Sequence, residues 1–175
     1  MKRLFFLVPV VLFFGLAGLL YAGLFQGPPS ALPSPLIGKP APEIALPALD
    51  GETTNFTRDE LGKGRPTIIN FWASWCAPCR IEHSVLEALA KREGIVLYGV
   101  DYKDKPEDAR AFLSELGNPF GKINEDRNGR VAIDWGVTGV PETFVVDGNG
   151  IIRVHYAGPI SEDVVRRLIL PALAK

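Results

Sequence analysis

The only two cysteines of this chain stand three residues apart, in Trp75-Cys76-Ala77-Pro78-Cys79. The segments on either side restrict what such a pair can be. Upstream, residues 66–73 form a β-rich and largely apolar run, the pattern of a strand covered on both faces. Downstream, residues 78–92 carry Ile81, Val85, Leu86, Leu89 and Ala90 at three- and four-residue steps, which predicts an amphipathic helix that Gly94 stops. Pro78 suits the first turn of that helix, where its missing N–H costs nothing. A cysteine at the helix start faces free N–H groups and the positive end of the helix dipole, and both favour its thiolate. One helical turn separates Cys76 from Cys79, so the two can close a small disulfide. Cys76 is then the attacking thiolate and Cys79 the resolving thiol, working through a mixed disulfide.

Two other readings compete. One is a purely structural disulfide, although so small a loop gives little chain-entropy stabilisation. The other is a metal site completed by His83. Cys76, Cys79 and His83 share a helix face, yet the first and last are about 10.5 Å apart along the axis, too far for one ion. A distal His155 could contribute instead, as in copper-delivery proteins, and the copper carrier stands as a binding-module alternative. His83 on its own reads as a surface helix residue. With two cysteines, a multi-disulfide scaffold and a four-cysteine zinc site are both excluded.

At the N-terminus, Met1-Lys2-Arg3 precedes 22 residues, 4–25, without a charge. As a helix they would extend about 33 Å, enough to span a hydrocarbon core of roughly 30 Å. Residues 1–25 are therefore expected to be an uncleaved membrane anchor. The competing signal peptide would have a shorter apolar region and a better small-x-small site than Leu20-Tyr21-Ala22. The basic flank stays cytoplasmic, which puts the bulk of the chain outside. Residues 26–37 contain Pro28, Pro29, Pro33 and Pro35 and read as an extended spacer. The chain holds 19 basic and 20 acidic residues, which excludes a generally basic, phosphate-tracking protein, and no nucleic-acid partner is expected.

The remaining domain, residues 38–175, alternates strand and helix signals. Residues 43–49 and 53–56, with Asp50-Gly51 between, suggest a short hairpin, and residues 58–61 a helical turn. Residues 95–102 read as a strand and 106–116 as a helix. A mixed stretch follows, with a helix near 130–135. Residues 142–146 and 151–156 flank Asp147-Gly148-Asn149-Gly150, a strong hairpin signal. Ser161 opens a terminal helix reaching about residue 174. The strand pair joined by a helical crossover should be parallel and the final hairpin antiparallel, so an α/β fold with a mixed central sheet flanked by helices is expected.

Asn70-Phe71-Trp72-Ala73-Ser74-Trp75-Cys76-Ala77-Pro78-Cys79 resembles the active site of the thioredoxin superfamily. Gly38-Lys39-Pro40-Ala41-Pro42, Gly99-Val100-Asp101-Tyr102-Lys103-Asp104, Leu116-Gly117-Asn118-Pro119, the segment from Gly136 to Phe144, and Asp147-Gly148-Asn149-Gly150 narrow the resemblance to the cytochrome c biogenesis thiol–disulfide reductases (DsbE/CcmG type). The likeness spans residues 38–175. It implies a thioredoxin-like fold with an N-terminal transmembrane helix, set in the inner membrane with its domain on the periplasmic side. It also implies a monomer that takes electrons from a membrane thiol donor and reduces apocytochrome c, with no organic cofactor and no metal. By the same resemblance Pro141 is the cis-proline facing the disulfide. Trp75, Val140 and Glu142 would meet a bound peptide, and Glu82 is the acid behind the cysteines. Asn70 stands where cytoplasmic thioredoxins carry a buried Asp, so Glu82 is the better candidate for moving a proton. The rivals within this fold are a general exported reductase with other clients and, opposite in direction, a disulfide oxidant.

Overall fold

A computed structural model describes residues 7–24, 34–49 and 54–174. The chain divides into two units, residues 1–32 and 33–175. In the first, α1 (Leu7–Leu24) is an 18-residue helix with no polar face. Val11, Leu12, Phe13, Phe14, Leu16, Leu19 and Leu20 are all exposed along it. Eighteen residues make about 27 Å of helix. Among the described residues no helix is long and apolar enough to cross a membrane. The rest of the expected 22-residue span, at residues 4–6 and 25, lies outside the described residues, as does most of the proline-rich spacer.

The second unit is built on β1 (Thr67–Trp72), β2 (Val96–Tyr102), β3 (Lys122–Asp126), β4 (Glu142–Val146) and β5 (Ile152–Ala157). Their order in the sheet is β3-β2-β1-β4-β5. β1, β2 and β3 run parallel, and β4 and β5 are antiparallel to their neighbours. The mixed α/β sheet expected from the sequence is present. Every residue of β1 is buried because both faces of this central strand are covered. Ile68 and Trp72 face α2 (Ala77–Ala90), α3 (Pro106–Leu116) and the C-terminal helix. Ile69 and Phe71 face Ala41, Ile44, Phe56 and α4 (Arg130–Asp134), with Trp135 sealing that side.

Four expectations need correction. The hairpin of residues 43–49 with 53–56 does not form. Ala48 bridges Asn124 of β3, and Leu49 N–H donates to the Ile123 carbonyl. The Asn124 side chain accepts from Phe56 N–H at 2.9 Å and donates to the Phe56 carbonyl at 2.7 Å. Both segments thus pair with β3, and the bond between them is a side-chain one, Asn55 Nδ2 donating to the Leu46 carbonyl at 2.8 Å; the turn at residues 50–53 lies outside the described residues. β3 falls in the stretch that the sequence leaves as mixed, because Lys-Ile-Asn-Glu-Asp has one apolar residue.

The buried stripe of α2 is rotated from the one the periodicity suggests. Cys79, Glu82, His83, Leu86 and Leu89 face inward, whereas Ile81 is 74% exposed. His83 is therefore not a surface residue: its Nε2 lies 2.9 Å from the Gly117 carbonyl and its ring meets Phe112 edge-on. Finally, the terminal helix is interrupted. Between α5 (Glu162–Val164) and α6 (Leu170–Leu173) lies a π-helical turn, Val165–Ile169. Pro171 has no N–H to give the Arg167 carbonyl, and Leu170 N–H donates to Val165 five residues back.

Candidate active site

The site forms where β1 hands over to α2. The chain turns through Ser74 and Trp75, with Cys76 N–H donating to the Ala73 carbonyl at 3.2 Å. Cys76 occupies the N-cap of α2, and its Sγ accepts from Cys79 N–H at 3.0 Å. The sulfur thus takes the place of the oxygen that a Ser or Asp cap would supply, at the end of the helix that favours an anion. Cys76 and Cys79 are joined as a disulfide. In this oxidised form both are buried, at 3% and 2% exposure, so accessibility does not separate their roles. Position does, since Cys76 caps the helix while Cys79 sits inside it, one turn before Glu82.

Glu82 is buried, and its carboxylate accepts from Asn70 Nδ2 at 2.9 Å and from Ile160 N–H at 2.7 Å. With Asn70, Trp72, His83 and Phe112 it lines a narrow cleft that also reaches Cys79. Burial pushes its pKa up to about 7, and the two hydrogen bonds only partly oppose this. A carboxyl with that pKa can gain or lose a proton near neutral pH. Asn70 is buried in the centre of the sheet and also donates to Thr143 Oγ1 at 3.1 Å. At this position it orients Glu82 and carries no charge of its own.

Just before β4, the strand next to β1, the Val140–Pro141 bond is cis. Pro141 is buried, and Val140 is half-buried against the cluster that contains both cysteines. Glu142 is not at the peptide-facing surface. It is 2% exposed and spends both oxygens internally. Oε1 accepts from Thr138 N–H, Thr138 Oγ1 and Gly139 N–H, and Oε2 meets His155 Nε2 at 2.5 Å. Burial raises its pKa, but the bonds from His155 and Thr138 outweigh this and leave it below the usual carboxylate range. Glu142 was expected to meet a bound peptide; its carboxylate is instead buried and committed to Thr138, Gly139 and His155, which ties down the loop before Val140. Trp75 is 59% exposed beside Cys76, with its Nε1 donating to the Lys103 carbonyl at 3.2 Å.

His83 and His155 are thus both engaged away from the cysteines, His155 with its ring stacked on Phe144. Among the described residues no group of three or more His, Cys, Asp or Glu side chains could hold a metal ion. Sequence reasoning gave no role to Asp101 or Asp104, whose carboxyl groups lie behind the Ser74–Trp75 turn. The available signal was an acid inside the apolar run Val96–Tyr102.

Residues 37–155 match the AhpC/TSA family. The chain is 46% identical over 173 residues to the thiol:disulfide interchange protein HelX of Rhodobacter capsulatus, covering 99% of this chain and 97% of that one. It is 40% identical over 179 residues to the thiol:disulfide interchange protein DsbE of Escherichia coli K12, covering 100% and 96%. Among solved structures, the candidate DsbE of Chlorobium tepidum superposes with a TM-score of 0.64 at 30% identity, covering 78% of this chain and 97% of that one. A helix-capping dithiol on this sheet, shared almost end to end with such relatives, makes the chain a protein-disulfide oxidoreductase. It belongs to the AhpC/TSA thioredoxin-like family and, within it, to the thiol:disulfide interchange proteins of the DsbE/HelX type.

Proposed function

We propose that the protein reduces disulfides of apocytochrome c on the outer face of the inner membrane, held there as a monomer by an anchor at residues 1–25. The observation that carries this reading is the set of charges around the dithiol. Ala77 and Pro78 between the cysteines offer the Cys76 thiolate no side-chain hydrogen bond and no positive charge, and Glu82 lies behind Cys79. A weakly stabilised thiolate makes the reduced dithiol a better electron donor. The Cys76 thiolate attacks one sulfur of the client disulfide and the other client sulfur leaves as a thiolate. Cys79, its proton passed to Glu82, then attacks Cys76 of the mixed disulfide, and the second client sulfur leaves as a thiolate. The client gains two electrons; one of its thiolates takes back the proton held by Glu82 and the other takes one from water, and Cys76–Cys79 is left oxidised. A membrane dithiol donor restores it; the chemistry is complete without an organic cofactor. The all-round apolar surface of α1 and the basic flank at Lys2 and Arg3 support the anchor and the periplasmic side.

The decisive experiment traps clients with Cys79→Ser in cells that make c-type cytochromes. Apocytochrome c is expected as a mixed disulfide through Cys76, and none with Cys76→Ser. Equilibration of the protein with a dithiothreitol series should give a midpoint below about −200 mV; one well above about −180 mV, the disulfide-isomerase range, would make the protein an oxidant and overturn the reading.

A further inference from the structure

Behind the active-site turn lies a second pair of acids that the disulfide exchange itself does not use. Asp104 follows β2, and its carboxylate accepts from Ser74 N–H at 2.5 Å, Ser74 Oγ at 3.0 Å and Lys105 N–H at 2.8 Å. One residue along on each side of this clamp, Trp75 Nε1 donates to the Lys103 carbonyl. The loop that grips Ser74 and Trp75 is itself strained: Lys103 has φ +48°, a left-handed conformation that only glycine adopts freely. It is held in place by Lys103 N–H donating to the Asp126 carbonyl at 3.0 Å. Asp101, the next-to-last residue of β2, is fully buried, and neither of its oxygens meets an N–H or O–H donor. Burial raises its pKa, and so does the carboxyl of Asp104, the acid it faces.

Two carboxyl groups can hydrogen-bond only if one carries a proton, and the buried one without donors is the one that must. The groups around Asp101 agree. Across the sheet its register partners are Trp72 of β1, which is uncharged, and Glu125 of β3, which is negative. Arg127, the cation that opposes the shift, is bonded at 2.6 Å to Glu125. We infer that Asp101 and Asp104 share a proton and together act as positioning residues for the thiol–disulfide site, Asp101 O–H fixing the Asp104 carboxylate that holds Ser74 and, through the strained Lys103 loop, Trp75. This inference depends on disulfide exchange at Cys76 and not on the identity of the client.

Burial, then the charges of Asp104 and Glu125, push the Asp101 pKa up to about 8, so the clamp has a pH at which it loosens. Below that pH Asp101 donates to Asp104; above it two adjacent carboxylates repel. The test is an amide NMR titration of the oxidised full chain in detergent micelles, where no thiol titrates. The Ser74 amide proton should lie downfield at pH 6 and move upfield in a step centred near pH 8. Asp101→Asn replaces the shared proton with an amide N–H, so the step should vanish while the low-pH position persists. Glu82→Gln should keep the step. Asp104→Asn should move the Ser74 amide upfield at every pH and slow disulfide exchange, by up to about a hundredfold if the reacting sulfur is displaced by about 1 Å. A step that survives in Asp101→Asn, or a Ser74 amide indifferent to Asp104→Asn, would overturn the inference. If Asp101→Asn does not fold, the carboxyl carbon of Asp101 in the unaltered chain decides: titration near pH 8 supports the pair, and titration below pH 6 removes it.

Discussion

Glu82 is an acid on the buried face of the helix that carries the dithiol, and among the described residues it forms no ion pair. A carboxylate next to a thiol raises the thiol pKa, but only while the carboxylate is charged. Glu82→Gln is therefore expected to lower the pKa of an active-site thiol in the reduced chain, read by thiolate absorbance. Variant and parent should converge below about pH 7, where Glu82 is already neutral. Identical titrations throughout would return Glu82 to a structural role. Stability follows the same proton. The folded pKa lies above the ordinary 4.5, so Glu82 favours the fold fully below that value, and the advantage is lost as pH rises to about 7. The loss is at most about 3 kcal/mol, and Glu82→Gln should flatten it. The Cys76–Cys79 pair was legible from spacing and resemblance, and so was the place of Glu82 one turn beyond Cys79. The burial of His83 was legible only in retrospect: Cys79, Glu82, His83, Leu86 and Leu89 keep helical spacing, but two polar members hid the stripe and Ile81 drew attention to the wrong face.

Among the elements, those with apolar periodicity were readable and those held by side-chain amides were not. β1, β2, α2, α3 and the β4–β5 hairpin fall close to the expected residues. β3 escaped because its buried Asn124 is stabilised by a backbone it finds far away in sequence. Asn124→Ala leaves both the N–H and the carbonyl of Phe56 buried without partners, and should cost about 2–4 kcal/mol in urea unfolding. A cost below about 0.5 kcal/mol would mean water replaces the amide. Gly99 on β2 is readable for a different reason. A methyl group there would stand 2.8 Å from Trp72 Nε1 and 3.0 Å from Phe120, whose rings stack 5.5 Å apart. Gly99→Ala should destabilise by about 1–3 kcal/mol, checked in the same assay, with the near-ultraviolet dichroism of Trp72 altered.

For the whole molecule, the buried acids pull stability in opposite directions across the pH scale. Glu82 and Asp101 have raised pKa values and favour the fold only while protonated; Glu142 and Asp147 have lowered ones and favour it only while ionised. Between the two sets the melting temperature of the full chain should peak near about pH 5 and decline toward pH 9. A flat profile from pH 5 to 9 would show that Glu82 and Asp101 relax into water. The fold class was readable at this scale because one buried strand followed by a capped helix leaves few architectures open. The expected span at residues 4–25 includes residues 4–6 and 25, which lie outside the described residues.

Trp75 has one more consequence. Of the three tryptophans, Trp72 and Trp135 are sealed at 1% and 0% exposure, and Trp75 stands open beside the disulfide. The molecule thus carries its own optical gauge of occupancy. A dissolved collisional quencher such as iodide reaches the emission of Trp75 and spares the other two, so the quenchable fraction measures how much of the rim is open to solvent. A docked client should shrink that fraction without any label, and the rate at which it returns gives the lifetime of the encounter.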